Sequence, residues 1–155
     1  RIRDAARNLR IVHSSNYSVC VAILRRAVRM VAPALMGSFD VEIVETHHNQ
    51  KIDAPSGTAL MLADEISSVM SEEPKYVYDR HSRRMKREKN EIGIHSVRGG
   101  TIVGEHDVLF AGHHETITLS HSAQSKEVFA SGAVNAAVYL CRKPAGLYDM
   151  SDLLK

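Results

Sequence analysis

Apolar and polar positions alternate along the chain with two different periods, and together they predict both helices and strands. Residues 11–15, IVHSS, form a short strand-like run. Asn16 can then cap a helix over residues 17–32, because its side-chain oxygen can accept a hydrogen bond from an orphan backbone N–H at the helix start. Apolar residues recur at helical spacing in that stretch, and we expect Pro33 and Gly37 to close it.

A strand and a second helix follow. The run FDVEIVETHH, residues 39–48, consists of strong β formers and predicts a strand. Ser56, Gly57 and Thr58 then begin a helix that we expect to run from about residue 58 to about residue 70. Residues 72–90, which include RHSRRMKREKN, are charged and lack periodicity, so they predict an exposed, mobile loop.

The last part of the chain reads as three neighbouring strands and a helix. The strand-like runs are EIGIHSVR, TIVGEHDVLF and HETITLSH, and Gly99-Gly100 between the first two suggests a hairpin turn. Residues 127–140 predict a final helix. The order of elements indicates an α+β domain, in which a mixed sheet has its helices mostly on one face. We expect another copy of the chain to cover the other face.

Composition narrows the class of protein. The 155 residues are 44% hydrophobic and 25% charged, which favours a folded domain over disorder. A net charge of +2 is too small to imply nucleic-acid binding. No apolar run approaches the roughly 20 residues that cross a bilayer. Cys20 and Cys141 lie in apolar, helix-like segments, and we expect them to be buried free thiols in a reducing cytoplasm.

Two further features bear on domain organisation. The chain opens on RIRDAARNLR, with no methionine and no capping residue, as if it began partway along a helix. We therefore expect a fragment of a longer protein. No Gly-x-Gly-x-x-Gly or Walker-type loop is present, so the chain carries no recognisable nucleotide-binding unit of its own.

The stretch HHNQKIDAPSGTA, residues 47–59, concentrates the candidate chemistry. Adjacent residues of a strand point to opposite faces, so His47 and His48 are poorly placed to hold one metal ion, and we expect no metal. Ser56 lacks a Gly-x-Ser-x-Gly elbow, and helix capping is its ordinary role.

An anion site fits the same stretch better. A helix start presents unpaired N–H groups and a partial positive charge, and Gly57 would let a ligand approach the backbone there. The Thr58 hydroxyl can add a donor, and His48 and Lys51 sit at the end of the strand that feeds this loop. A capped helix beside solvated side chains remains the alternative.

Several stretches of the chain resemble the motifs of one known family. ETHHNQKIDAPSGTA looks like the Glu-x-His-His-x-x-Lys-x-Asp-Ala-Pro-Ser-Gly-Thr-Ala motif of dihydrodipicolinate reductase. SSNYSVCVAIL is similar to its domain-junction segment, and EIGIHSVRGGTIVGEHDVLF to its strand pair with Val-Gly-Glu-His. HSAQSKEVFASGAVNAA and GLYDMSDLL are similar to its C-terminal helix and tail. The resemblance covers nearly the whole chain in the right order.

The resemblance implies a domain plan and a function. The family uses NADPH or NADH in the diaminopimelate route to lysine, with an N-terminal Rossmann domain for the nucleotide and a central domain for the substrate and the tetramer contacts. On that plan residues 1–15 are the end of the nucleotide-binding domain and the junction. Residues 16–143 are the substrate-binding and tetramerisation domain, and residues 144–155 are a tail that returns to the nucleotide-binding domain. A cytoplasmic homotetramer is implied.

The resemblance also implies roles for residues that match the family motif. His47 and His48 correspond to a histidine pair at the substrate, one of which is implicated in proton donation, and Lys51 to a lysine that is a strong candidate for the general acid. His48 would also contact the substrate, and Gly57 and Thr58 match the loop that binds a substrate carboxylate.

The resemblance implies roles for three further residues outside that motif, one of which departs from the family pattern. Lys126 stands where the family usually has arginine, and it keeps the positive charge for a carboxylate. Asn16 and Tyr17 fall in the junction segment near the nicotinamide.

The implied chemistry is coherent. Hydride from the cofactor leaves negative charge on a conjugated cyclic dicarboxylate, and a nearby cationic acid quenches it with a proton. One alternative from another class is a non-catalytic anion-binding or assembly module with the same fold. A third hypothesis is nucleic-acid binding by the basic loop, residues 80–89, and the small number of aromatic residues in the chain disfavours it.

Overall fold

The computed structural model describes all 155 residues and places them in two units. The first unit comprises residues 1–23 and 125–155, and the second comprises residues 24–124. The helices are α1 (Ile2–Ala5), α2 (Val19–Leu35), α3 (Gly57–Ser67), α4 (Glu127–Leu140) and a terminal 3-10 helix (Met150–Leu154). The strands are β1 (Arg10–Val12), β2 (Asp40–His47), β3 (Lys75–Val77), β4 (Glu91–Arg98), β5 (Gly104–Ala111), β6 (Thr116–Ala123) and β7 (Gly146–Tyr148).

The second unit is built on a five-stranded mixed sheet in the order β3-β4-β2-β5-β6. Strand β2 pairs in parallel with β4 and antiparallel with β5, and β6 continues the antiparallel side. The predicted α+β class with a mixed sheet is therefore confirmed.

One face of this sheet packs against α2 and α3. Buried residues alternate with period two along β2 and β5, as expected of strands that bury one face. The core consists of apolar side chains from the sheet and from these two helices: Leu24, Val28, Ala32, Val41, Ile43, Ala59, Leu62, Ala63, Ile66, Ile92, Ile94, Val108 and Phe110. Burying one large side chain of this kind stabilises the fold by roughly 1.5–3 kcal/mol. Helices on one face were predicted, and oligomerisation through the other face stays a prediction.

The predicted hairpin at Gly99-Gly100 is wrong. Strands β4 and β5 are not neighbours, because β2 lies between them and pairs with both. The connection passes the end of β2 instead: the Gly99 amide donates to the His47 carbonyl at 2.9 Å, and the Asn49 amide donates to the Gly100 carbonyl at 3.2 Å. Gly100 has φ +51°, a conformation that glycine adopts without strain.

The mobile loop predicted over residues 72–90 is also wrong in part. Strand β3 lies within it and pairs in parallel with β4. Arg80 and Arg87 bind carboxylates of the sheet, Glu42 among them, so the charges that suggested a solvated loop fasten it to the sheet.

Helix α2 begins and ends later than predicted. The Asn16 side chain accepts from the Ser18 amide at 2.8 Å, and Ser18 Oγ in turn accepts from the Val21 amide at 3.3 Å, so Ser18 rather than Asn16 serves the helix start. Pro33 lies inside the helix, which runs on to Leu35. Helix α3 ends at Ser67, before the predicted residue 70, because the Ser68 hydroxyl donates to the Glu65 carbonyl and a turn follows.

The first unit has its own small core around Ala22, Ala136 and Met150. Strands β1 and β7 pair in parallel, a contact the sequence did not suggest, whereas α4 has the predicted bounds. Cys20 and Cys141 are free thiols as expected, but both are exposed rather than buried. No helix in the chain combines the length and apolarity needed to cross a membrane.

Candidate functional site

The inward face of the sheet changes from apolar to polar at the carboxyl end of β2. Val41 and Ile43 belong to the core, but Glu45 and His47 continue the same inward alternation. Glu45 lies directly opposite Ser96 on β4 and His106 on β5. The next position on β6, opposite His106, is His121. A row of polar side chains therefore crosses four strands beside the start of α3.

Glu45 is the centre of this row, and its side chain is wholly buried. Its carboxylate accepts from two nitrogens of Arg98, at 2.8 and 2.7 Å, and from the Ser56 amide at 3.1 Å. It also accepts from His47 Nδ1 at 2.5 Å. Burial alone would raise the pKa of Glu45, but the hydrogen bonds from Arg98, Ser96 and His47 lower it to about 2. The carboxylate is therefore ionised throughout the working pH range.

The two histidines that follow occupy different places. His47 ends β2 and is 8% exposed. Burial lowers its pKa, the carboxylate of Glu45 opposes that shift, and the charges of Lys51 and Arg98 add to it. His48 lies beyond the strand, half-buried, and its carbonyl accepts from the Lys51 amide at 3.1 Å. Only His47 belongs to the hydrogen-bonded row.

The loop after β2 is fastened to the sheet. Lys51 Nζ lies 2.7 Å from the Asp53 carboxylate, and this contact lowers the pKa of Asp53. Arg98, which binds Glu45, also donates to the Asp53 carbonyl at 2.7 Å. The peptide bond between Ala54 and Pro55 is cis. Through Asp53, Lys51 is thus held close to Arg98, and its charge is near enough to lower the pKa values of both His47 and His106.

Ser56 caps helix α3, as predicted. Its Oγ accepts from the Ala59 amide at 3.1 Å and forms a second hydrogen bond with His106 Nε2 at 2.9 Å. His106 is buried, and burial is the main reason why its pKa falls to about 4. The ring packs edge-on against His47 with centroids 5.2 Å apart. We call Glu45, His47, Ser56, Arg98 and His106 the inner cluster.

The first turn of α3 is open at Gly57, which is exposed. A Cβ at Gly57 would meet no atom within 4 Å. The Gly57 amide lies at the helix start, where the partial positive charge of the helix is found. Thr58, the next residue, is buried. The helix start is therefore exposed at Gly57 and is joined to the inner cluster through Ser56.

The other candidate residues lie in the first unit. The Asn16 side chain holds the Ser18 amide, and the Tyr17 hydroxyl donates to the Val12 carbonyl at 3.4 Å. Lys126 precedes α4 and makes no side-chain cap for it. The structure thus brings His47, Lys51 and the Gly57 turn together within the second unit, and it leaves the parts of Asn16, Tyr17 and Lys126 as predictions.

Sequence reasoning did not single out Glu45, Arg98 or His106 as site residues. The signal for Glu45 was present, because period-two alternation places it on the face of Val41 and Ile43, where a carboxylate must find partners. Three buried nitrogens of the region have no hydrogen-bond partner in the protein, and they belong to Arg98, His106 and His121. No three histidine, cysteine or acidic side chains are grouped as metal ligands. The arrangement offers donors and cations suited to an organic anion.

Comparison with known proteins agrees with this chemistry. The family model described as dihydrodipicolinate reductase, C-terminus, matches residues 20–154. The 4-hydroxy-tetrahydrodipicolinate reductase of Caldanaerobacter subterraneus subsp. tengcongensis is 54% identical over 154 residues, which cover 99% of this chain and 61% of that protein. The protein of the same name from Exiguobacterium sibiricum is 52% identical, over 98% of this chain and 60% of its own length.

A solved structure is similar as well. The dipicolinate-bound dihydrodipicolinate reductase from Paenisporosarcina sp. TG-14 has a TM-score of 0.68 and 28% identity, and the match covers 91% of this chain and 53% of that one. The chain thus spans about 61% of the length of the curated relative from Caldanaerobacter. On the family model and these relatives, the chain belongs to the dihydrodipicolinate reductase family and corresponds to its C-terminal domain.

Proposed function

We propose that the chain supplies the substrate-binding part of a 4-hydroxy-tetrahydrodipicolinate reductase, which acts in lysine and diaminopimelate biosynthesis. One observation carries the proposal: Lys51, His47 and the first turn of α3 are held at one end of β2 by contacts that all lead to Glu45 or Arg98. The names of relatives about half identical to the chain support this choice of reaction.

The substrate class follows from the donors at this end of the sheet. A small ring with two carboxylates needs cationic groups and N–H donors on more than one side. Lys51 offers an ammonium, and the amides at Gly57 and Thr58 offer an anion-binding helix start. The solved relative was bound to dipicolinate, a planar pyridine with two carboxylates, which has the charge and size expected of such a ligand. His48, at the end of the same strand, would complete the contacts.

The proton comes from this chain. Reduced nicotinamide, as NADPH or NADH, supplies the hydride when it is bound. Lys51 is our leading candidate for the acid that quenches the resulting negative charge, because its ammonium is held in place by Asp53. His47 and His48 are the other candidates. The same residues fix the ring before reaction, so that part of the rate gain comes from orientation.

Only the nicotinamide end of the nucleotide would be contacted by this chain. No glycine-rich phosphate loop is present. Asn16 and Tyr17 form a polar turn, and we propose that it lies beside the nicotinamide. The rest of the nucleotide would then be bound by a Rossmann domain, with residues 144–155 returning to it. Lys126 would bind a carboxylate of the substrate. We further propose a cytoplasmic homotetramer, assembled through the open face of the sheet.

The experiment that tests this function is calorimetric titration with two probes that differ by one carboxylate. Dipicolinate should bind more tightly than pyridine-2-carboxylate, because only the former presents two anions to the donors at this site. Its affinity should fall more steeply with added salt, since two charges are screened rather than one. Equal affinities for the two probes, or no binding of dipicolinate at low ionic strength, would refute the proposed substrate class.

A further inference from the structure

Glu45 dictates the protonation pattern of the His47 ring. A carboxylate held ionised by Arg98 can only accept hydrogen bonds. Its Oε2 lies 2.5 Å from His47 Nδ1, so that nitrogen must carry a proton and donate it. In the neutral ring the other nitrogen, Nε2, is then left with its lone pair. Glu45 therefore sets the tautomer of His47, and Glu45 is itself held by two nitrogens of Arg98 and by the Ser56 amide.

Nε2 is the ring nitrogen of His47 that has no hydrogen-bond partner in the protein. His47 makes its single hydrogen bond through Nδ1. Gly104 on the neighbouring strand faces Nε2, and a Cβ at that position would approach it to 2.9 Å. Any larger residue at position 104 would press against the ring. Glycine thus preserves access to an atom whose chemistry Glu45 has already determined.

Glu45 also ties the ring to the start of α3, because its Oε1 accepts from the Ser56 amide at 3.1 Å. One buried carboxylate therefore fixes both the imidazole and the helix start, where Gly57 and Thr58 present their amides. Movement of either element would break a hydrogen bond to a buried charge, which is among the stronger hydrogen bonds in a protein.

We propose that Glu45 is a positioning residue that holds His47 in its Nδ1–H form and so makes Nε2 the atom presented to the bound dicarboxylate, with Gly104 keeping that atom accessible. This inference rests on the proposed function. Any proton that His47 exchanges in the reaction then moves at Nε2: the imidazolium gives up its Nε2 proton, returns to the neutral Nδ1–H ring, and Glu45 stays ionised throughout.

Charged and titratable groups face His47 from every element packed around it. Glu45 is on the same strand, Arg98 on β4, Lys51 and Asp53 in the following loop, and His106 on β5. Burial together with Lys51 and Arg98 lowers the pKa of His47, against the opposing effect of Glu45. The ring is thus neutral near pH 7 in the unliganded protein, which makes its tautomer directly measurable.

The test is nitrogen NMR of the chain labelled with ¹⁵N-histidine, with the His47 signals assigned from their loss in His47→Gln. In the unliganded wild type near pH 7.5, Nδ1 should have the shift of a protonated ring nitrogen and Nε2 that of an unprotonated one. Addition of dipicolinate should move the Nε2 signal more than the Nδ1 signal. A ring protonated on Nε2, or a rapid mixture of the two forms, would overturn the inference.

A pair of matched variants distinguishes a role of Glu45 in positioning His47 from a role in stabilising the fold alone. In Glu45→Gln the amide can still accept from Arg98, but its NH₂ can donate to Nδ1, so the ring should shift toward the Nε2–H form. Dipicolinate affinity should fall by roughly tenfold or more. Glu105→Gln is the control, because Glu105 directly precedes His106 on β5, faces the other side of the sheet and binds only the Ser122 hydroxyl. It should change neither quantity.

Gly104→Ala keeps the carboxylate and covers Nε2, so it serves if Glu45→Gln does not fold. It should leave His47 in the Nδ1–H form yet weaken dipicolinate binding by roughly tenfold. A folded Glu45→Gln or Gly104→Ala that binds dipicolinate as the wild type does would contradict the proposal. If the wild type binds dipicolinate but carries the Nε2–H ring, only this inference fails. If the wild type does not bind dipicolinate, the proposed function fails, and the role of Nε2 fails with it.

Discussion

Strand β2 carries a glutamate-centred cluster on each face of the sheet, and the two clusters are made of similar residues. On the helix-covered face the inner cluster joins Glu45 to His47 and Arg98. On the opposite face Glu42 binds His95, Arg80 and Arg87; we call these four residues the outer cluster. In both clusters, hydrogen bonds and positive charges outweigh the effect of burial and lower the pKa of the glutamate.

The two clusters differ in how many of their polar groups are left without a hydrogen-bond partner in the protein. All three side-chain nitrogens of Arg87 are used: Nε binds Glu42, and the two terminal nitrogens donate to the carbonyls of Val41, Glu88 and Glu91. The outer cluster therefore has little left to offer a ligand. In the inner cluster, buried nitrogens of Arg98 and His106 have no protein partner, and the open turn at Gly57 lies next to it.

This difference favours the inner cluster over the outer cluster as the proposed binding site. Burial, ion pairing and a shifted pKa occur in both, and they do not separate structure from function. Unused polar groups beside an open helix start occur only in the inner cluster. The predictions below change one cluster at a time.

The largest expected effect is on turnover. In the enzyme that combines this chain with a nucleotide-binding domain, Lys51→Ala should lower kcat by roughly 10²–10⁴-fold, since it removes the proposed general acid. Lys89→Ala is the control, because Lys89 is an exposed lysine of the basic loop, and it should leave kcat unchanged. Steady-state kinetics would measure both. Equal kcat values for the Lys51 variant and the wild type would remove Lys51 from the chemistry.

The inner cluster should also show in the pH dependence of stability. The pKa of His106 is about 4 in the folded protein, well below its ordinary value of 6.5. Between these values the unfolded chain binds a proton that the native chain does not. The unfolding free energy is thus at its full value above about pH 6.5 and falls by up to about 3 kcal/mol as the pH approaches 4.

Urea denaturation at a series of pH values would measure this loss. His106→Gln should be less stable at pH 7, because its hydrogen bond to Ser56 is altered, but its stability should decline less steeply below about pH 6.5. The same steepness in the variant and the wild type would show that His106 is not the group responsible.

A substitution in the outer cluster should change the unfolding free energy but not the affinity for dipicolinate. A Cβ at Gly93 would lie 1.7 Å from a carboxylate oxygen of Glu42, which is held by arginine and histidine partners and cannot move without breaking their contacts. Gly93→Ala should therefore lower the unfolding free energy by about 1–3 kcal/mol. Dipicolinate affinity of the folded variant, measured by calorimetry, should stay at the wild-type value. A marked loss of affinity would mean that the two faces are not independent.

The smallest effect on stability is expected at the site itself. Gly57→Ala adds a methyl group in open space at the start of α3, so the unfolding free energy should change by no more than about 0.5 kcal/mol. The same methyl group would stand where a carboxylate approaches the helix amides, and dipicolinate should bind several-fold more weakly. Unchanged affinity would place the ligand elsewhere.

Features of the fold and of the site could be predicted from the sequence where they depend on contacts between residues close together in the chain. Helix α4 and the inward alternation of β2 follow from periodicity, and the cap of α3 follows from Ser56 just before Gly57. The position of β2 between β4 and β5 depends on pairing between distant segments, so Gly99-Gly100 was misread as a hairpin. The same holds for the site, since Glu45 and Arg98 meet only once β2 and β4 have paired.

The most direct test of the account is an amide NMR titration of the ¹⁵N-labelled chain with dipicolinate at low ionic strength. We predict saturable shifts at the amides of His47, Lys51, Gly57 and Thr58, and none at Glu42, Arg87 or His95. Shifts confined to the residues of the outer cluster, or the absence of any saturable change, would contradict the claim that the carboxyl end of β2 and the start of α3 form one dicarboxylate site.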